Sequence, residues 1–235
     1  MTPFFLNSGD QFRVDSPPDL TSDEYTKAFL EIKQLGSALA VRTQDQSDVP
    51  RFWLVPGTQG WNSTARQEAI AEGTSLSQNA RIFALLNVTG ADAAIACWDT
   101  KFTYNTWRPV TAIRVADLDG NPDTDADPTW SSFVVTPPFP EYVSGHACYA
   151  GAAQHVLEMF FGAGNDKSIT LTSPTAPGVT RHYTSFLQIA DEIDNARVWG
   201  GIHFRYSQVR GRRLGKQVGR FGTTHYLRLT HGTGG

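Results

Sequence analysis

The sequence predicts an all-α fold, mainly a helical bundle with long functional loops. Apolar residues recur at helical spacing in several windows, capping residues stand at the starts of those windows, and strand signals are few. The 235 residues divide into an extended N-terminal arm at 1–20 and a single helical-bundle domain at 21–230. A domain of this size buries roughly 70% of its unfolded surface, so it needs no disulfide or metal to be stable.

The arm is rich in Pro, Ser and Asp. Thr21 and Ser22 then cap a helix whose first turn carries Asp23 and Glu24, acids that suit the positive end of the helix dipole. Tyr25, Phe29, Ile32 and Leu35 form its apolar face, and Gly36 stops it. A second helix is expected from Thr43 or Ser47 to Leu54, ended by Pro56–Gly57, and a third from Trp61 to about Ala71. The longest window runs from Ser75 to Tyr104. Ile82, Leu85, Leu86, Val88, Ala93, Ala94, Ala96 and Cys97 make it apolar on more than one side, as a central helix should be.

Pro109 cannot continue that helix but suits the first turn of a short one, Val110–Val115. Residues 117–140 read as a long Asp-, Asn- and Pro-rich loop, and Ser144–Phe161 as a helix. The Gly-, Ser-, Thr- and Pro-rich stretch Phe161–Thr180 reads as loop. Ser185–Trp199 is a helix broken by Gly200 and Gly201. A last helix, about Ser207–Leu229, carries Arg210, Arg212, Arg213, Lys216 and Arg220, read as a solvated face paired to local acids. The sequence contains no internal repeat and no evident heptad run.

Composition excludes several classes. A net charge of −3 gives no reason to expect nucleic acid as a partner. No apolar run approaches the ~20 residues of a membrane span. The start of the chain as given lacks the basic and apolar regions of a signal peptide, so a soluble protein of open localisation is expected. Cys97 and Cys148 read as buried small apolar residues, with a disulfide as the alternative; converging motifs would bring their sulfurs close.

Chemistry concentrates in three short segments: Lys101 to Pro109, Val143 to His146, and Arg197 to His203. Together they supply Lys101, Arg108, Ser144, Gly145, His146, Arg197 and His203. That is an inventory for holding a tetrahedral oxyanion. Guanidinium forks take two oxygens each, the ammonium acts as a point charge, and hydroxyl and backbone N–H groups complete the cradle. A helix starting at Ser144 would aim its first N–H groups at the anion. Two histidines remain for an apical bond and for proton transfer.

The order and separation of these segments resemble the signature of the vanadium haloperoxidase and type-2 phosphatidic acid phosphatase superfamily, K-x6-RP, PSGH and SR-x5-H-x3-D. Residues 94–99, 136–141 and 200–205 are similar to its soluble haloperoxidase-like branch, and the resemblance runs from about Phe5 to about Phe221. It implies a haloperoxidase or acid phosphatase-like bundle with vanadate as cofactor, in a site that phosphate or sulfate could also occupy. It makes His203 the ligand of vanadium and His146 the acid–base residue, with Lys101, Arg108, Ser144, Gly145 and Arg197 on the oxygens. The partners implied are hydrogen peroxide and halide, with hypohalous acid as product and no haem or flavin.

The alternatives are a phosphatase that hydrolyses a phosphate ester through a phosphohistidine at His203, and an oxyanion-binding protein without turnover. Val143 departs from the usual Pro, and Ser207 stands where many members have the Asp that orients the histidine. Ser207 tilts the reading toward the haloperoxidase, since a nucleophilic histidine needs the charge more than a metal ligand does. The acids between Asp117 and Asp125 lack EF-hand spacing and read as a solvated turn. An exposed apolar surface could make the chain a homodimer.

Overall fold

The computed structural model describes residues 1–228. Its elements are α1 (Asp23–Leu35), α2 (Gln44–Phe52), α3 (Gly57–Ala71), α4 (Leu76–Tyr104), α5 (Pro109–Arg114), a 3-10 turn (Ala116–Leu118), α6 (Gly145–Phe161), β1 (Ile169–Thr172), β2 (Thr180–Tyr183), α7 (Phe186–Trp199) and α8 (Arg205–His225). It is a helical bundle in which α6 lies against α4, α7 and α8.

The predicted caps act as such. Ser22, Thr43, Ser75, Ser144 and Ser185 each accept an N–H of the following first turn, and Thr43 and Ser75 complete capping boxes with Gln46 and Gln78. Two expectations change. Pro56 is the N-cap of α3, which begins at Gly57, so the Pro-Gly pair opens a helix rather than only closing one. The stretch expected as loop before Thr180 holds a strand, and β1 pairs antiparallel with β2 from Ile169↔Tyr183 to Thr172↔Thr180. Ile169 and Leu171 turn inward and carry the hairpin onto the core. The last helix starts earlier than predicted and ends at His225; positions 229 and 230 of the predicted domain lie outside the described residues.

The core has two parts. Trp53, Trp61, Leu85, Leu86, Val156, Phe186 and Ile193 form one; Tyr25, Phe29, Ile32, Ile113, Tyr142, Phe204 and Leu214 form the other. Between α6 and α8 the backbones nearly touch. A Cβ on Gly215 would stand 1.9 Å from the Cys148 carbonyl oxygen, and one on Gly151 would stand 2.2 Å from that of Arg212. Gly215→Ala is therefore expected to destabilise the protein by about 3 kcal/mol, the upper part of the range for overpacking, because backbone and not a flexible side chain must give way. A shift of the urea midpoint checks this, and an unchanged midpoint would show that the two helices can part freely.

The arm contains neither helix nor strand but is held down. The buried Asp92 carboxylate accepts the N–H groups of Phe4, Phe5 and Leu6 at 2.7, 2.7 and 3.1 Å. Tyr104 and Tyr142 donate to the carbonyls of Val14 and Asp15. Of the acids in the 117–125 loop, Asp119 is buried and accepts from the Asn121 N–H and the Thr124 hydroxyl, whereas Asp117, Asp123 and Asp125 are exposed. On α8, Arg210 pairs with Glu24 and Arg212 with Asp191 and Asp194. Arg213, Lys216 and Arg220 have no acidic partner among the described residues, so local pairing of that face is partial.

α4 differs from expectation too. An 18-residue window within Leu76–Arg114 has a mean hydropathy of 1.4, long and apolar enough to cross a membrane, and half of it is buried in the bundle. Ala84, Val88, Ala91, Ile95, Trp98 and Phe102 follow heptad spacing along its outer side. None of the six is fully buried, and Phe102 is 64% exposed.

Candidate active site

Each motif residue stands at the end of a helix, and the ends converge. Lys101 lies in the last turn of α4. Asn105, in left-handed conformation at φ 47°, ends that helix and swings the chain to Arg108, the N-cap of α5. Ser144 caps α6, which begins with Gly145 and His146. Arg197 sits in the last turn of α7. The chain then reverses through Gly201, whose φ of +77° and separation of only 2.2 Å between its Cβ position and the Gly36 carbonyl oxygen admit no side chain. That reversal delivers His203 to the same place.

Lys101 is fully buried and donates from Nζ to the carbonyls of Pro140 and Glu141 at 2.8 and 2.9 Å. Arg108 donates from Nε to Phe139 O and from Nη1 to Ile202 O. The same Nη1 stands 3.1 Å from His203 Nε2. Guanidinium only donates, so Nε2 must carry its lone pair there and the ring proton lies on Nδ1. That proton points to Glu141 Oε1 at 2.9 Å, and the same oxygen accepts the Phe204 N–H at 3.0 Å. Arg197 Nη1 donates to Trp53 O. His146 Nε2 lies 3.2 Å from Val55 O. The Ser144 oxygen caps α6, leaving its own proton to donate, and the Gly145 N–H belongs to the first turn that no helix can satisfy internally.

The charges do not balance without a ligand. Lys101, Arg108 and Arg197 are buried around His203 with one carboxylate, Glu141, among them. Two donors of this group, Arg108 Nη2 and Arg197 Nε, are buried with no acceptor, and the second Glu141 oxygen is buried with no donor. Buried cations in excess of their partners are costly unless an anion completes them. Converging N–H and hydroxyl donors around a histidine whose Nε2 carries its lone pair toward them fit a tetrahedral oxyanion, vanadate included.

Residues 81–232 match the family model of the VCPO second helical-bundle domain. The chain belongs to the vanadium haloperoxidase family. Vanadium chloroperoxidase of Curvularia inaequalis is 24% identical over 278 residues, covering 88% of this chain and 45% of that protein. A bacterial vanadium-dependent iodoperoxidase superposes with a TM-score of 0.80 at 28% identity, over 94% of this chain and 55% of that one. An apo-type bacterial vanadium-dependent chloroperoxidase gives a TM-score of 0.76 at 19% identity, covering 94% and 53%, a likeness of fold. The chain spans about half the length of these relatives.

Within the family frame, the Ser207 expectation needs correction. The carboxylate missing at that position is present in space, contributed by Glu141 from the loop before α6. Ser207 is fully buried and instead accepts the Ser144 N–H through its carbonyl at 3.3 Å. The bias against a nucleophilic histidine therefore disappears. Trp53 and Val55, whose carbonyls meet Arg197 and His146, were also not anticipated, because a backbone carbonyl leaves no mark in a sequence. Among the described residues no group of three His, Cys, Asp or Glu could hold a metal ion, and Cys97 and Cys148 are free and buried.

Burial sets the protonation states, and the cations modify them. It raises Glu141 from 4.5 to about 7 against the pull of Lys101 and Arg108. Burial, then Arg197, lowers His146 from 6.5 to about 3, and burial, then Arg108, holds His203 well below 6.5. Both histidines are neutral near pH 7.

The linkage has opposite signs for the two kinds of group. Between pH 6.5 and about 3 the unfolded His146 binds more protons than the folded one, so its contribution falls as pH falls. Between pH 7 and 4.5 the folded Glu141 binds more protons, so its contribution rises as pH falls. Two histidines thus oppose one carboxylate, so the anion-free protein is expected to lose stability gradually from pH 6.5 to 4.5 and more steeply below. Glu141→Gln removes the opposing group and should lose stability more steeply already from pH 6.5 downward. Identical pH profiles for the two proteins would contradict the raised carboxylate.

Proposed function

We propose that this chain carries a vanadate-dependent haloperoxidase-like activity, oxidising halide with hydrogen peroxide to hypohalous acid. The observation that carries the reading is the neutral His203 ring, its Nε2 lone pair facing three buried cations whose donors are not all used. Vanadate, when bound, supplies an electrophilic centre that activates peroxide without changing its own oxidation state.

The chain's residues prepare that centre. Lys101, Arg108 and Arg197 neutralise the oxyanion, and Ser144 and the Gly145 N–H take further oxygens at the start of α6. Glu141 fixes the proton of His203 on Nδ1, so Nε2 is the ligand atom. His146, neutral and tethered to Val55 O, is the group free to take up a proton. The cradle is preorganised and buried, so its charges act in a medium of low polarity.

A second reading keeps its place because Glu141 supports a nucleophilic His203 equally well: an acid phosphatase acting through a phosphohistidine, with His146 protonating the leaving oxygen. A paired assay on one sample tests both. Vanadate, bromide and peroxide should brominate a diketone or dye, and a vanadate-free arm follows hydrolysis of a phenyl phosphate. Bromination that needs vanadate supports the first reading. Hydrolysis alone, inhibited by vanadate, would replace it with the second, and silence in both arms would leave an oxyanion-binding protein.

A further inference from the structure

Two buried thiols lie directly behind the cradle. Cys97, on α4 one turn before Lys101, and Cys148, on α6 two residues after His146, are both free and fully buried. Both belong to one buried cluster where α4 packs against α6, and each thiol perturbs the ionisation of the other. Cys97 Sγ also donates to the Val143 carbonyl at 3.4 Å, next to Ser144. It lies 4.0 Å from the Cβ position of Gly145, whereas the Cys148 sulfur lies 3.4 Å from that of Gly211 on α8. Cys97 thus faces the cradle and Cys148 the helix packed behind it.

We propose that Cys97 is a peroxide-oxidisable thiol and that Cys148 resolves it as a disulfide that disarms the oxyanion cradle. The oxidant is hydrogen peroxide, so the proposal rests on the reading that this site meets peroxide. The Cys97 sulfur attacks one peroxide oxygen, the O–O bond breaks, and water leaves with sulfenic acid at Cys97. The Cys148 sulfur then attacks that sulfur, the S–O bond breaks, and a second water leaves with the disulfide. Two thiols are oxidised by two electrons and one peroxide is reduced to two waters.

The surroundings favour Cys97 as the attacking group. Burial alone would raise its pKa, but the Cys148 S–H, Lys101 and Arg108 together bring it below the ordinary thiol value. Burial and the neighbouring Cys97 push Cys148 the other way. A disulfide removes the bond from Cys97 to Val143 and ties α4 to α6 one turn from Lys101 and half a turn from His146. The cations and the α6 start would no longer meet one anion in the same geometry.

The test uses the full chain without vanadate or halide. After hydrogen peroxide the protein is unfolded, alkylated and mapped by mass spectrometry, and phosphate affinity is measured before oxidation, after it, and after dithiothreitol. A Cys97–Cys148 cross-linked peptide is expected, with phosphate affinity reduced about tenfold or more and restored by reduction. Cys148→Ser should accumulate a dimedone adduct at Cys97, and Cys97→Ser should give none at Cys148. Alkylation of both thiols after a peroxide dose that oxidises the half-exposed Met159 would overturn the proposal. So would a dimedone adduct at Cys148 instead, or a disulfide that leaves phosphate affinity unchanged. Halogenation is no part of this readout, so a protein that forms the disulfide but does not brominate counts against the functional reading alone.

Discussion

His203→Ala is expected to abolish vanadate-dependent bromination and any phosphate ester hydrolysis, each by roughly a thousandfold or more, the scale on which loss of a reacting group acts. Nε2 is the imidazole lone pair that the geometry turns toward Arg108, and both chemistries need it, as ligand or as nucleophile. Binding of inorganic phosphate should change far less, by about tenfold at most, because Lys101, Arg108 and Arg197 persist. Calorimetric titration with phosphate beside the two assays separates these effects. Full activity in the variant would remove His203 from the centre. Equal loss of binding and activity would mean that the ring holds the cradle together rather than reacting in it. Structurally the variant leaves Glu141 with the Phe204 N–H as its remaining hydrogen-bond donor, so its carboxyl should become harder to ionise.

Lys101 and Arg197 were legible because each ends a long periodic helix with a recognisable cap, so their places along the bundle followed from local rules. Ser144, Gly145 and His146 were legible as a helix start for the same reason. Glu141 was visible as part of the segment from Thr136, but nothing local gave it a role. It sits in an aperiodic Pro-rich loop, and its partner lies 62 residues onward. Such pairing depends on tertiary placement, which spacing does not encode. The hairpin was missed because each strand has four residues amid turn-forming Ser, Thr, Gly and Pro; the alternation of Ile169 and Leu171 was its one local sign. The heptad stripe on α4 was hidden by apolar residues on the opposite face of the same helix, which blur the 4-3 spacing when the sequence is read without knowing which side is covered.

Glu141→Gln should separate charge from shape. Gln keeps an oxygen able to accept the His203 Nδ1–H and the Phe204 N–H, so the ring holds its tautomer and direction. It removes the negative charge that supports the basicity of Nε2. Outer partners of this kind typically contribute about 10- to 100-fold to metal affinity or activity, and a fall of that size in vanadate-dependent bromination is expected. Sulfate, which needs no bond from the histidine, should bind the variant more tightly, since three buried cations then face no carboxylate. Opposite changes with the two anions are the mark of a positioning residue; a parallel fall in both would indicate general damage to the fold. The pH profile adds a readout that packing alone would not move. Burial places the Glu141 transition at about 7 in the anion-free protein. The wild type should gain activity as pH rises through that region and the carboxylate ionises, and Gln, which cannot ionise, should erase that limb. Glu141→Asp keeps the charge but shortens the side chain by one methylene. It should retain the limb at reduced activity, because the carboxylate no longer reaches both N–H donors in the same geometry.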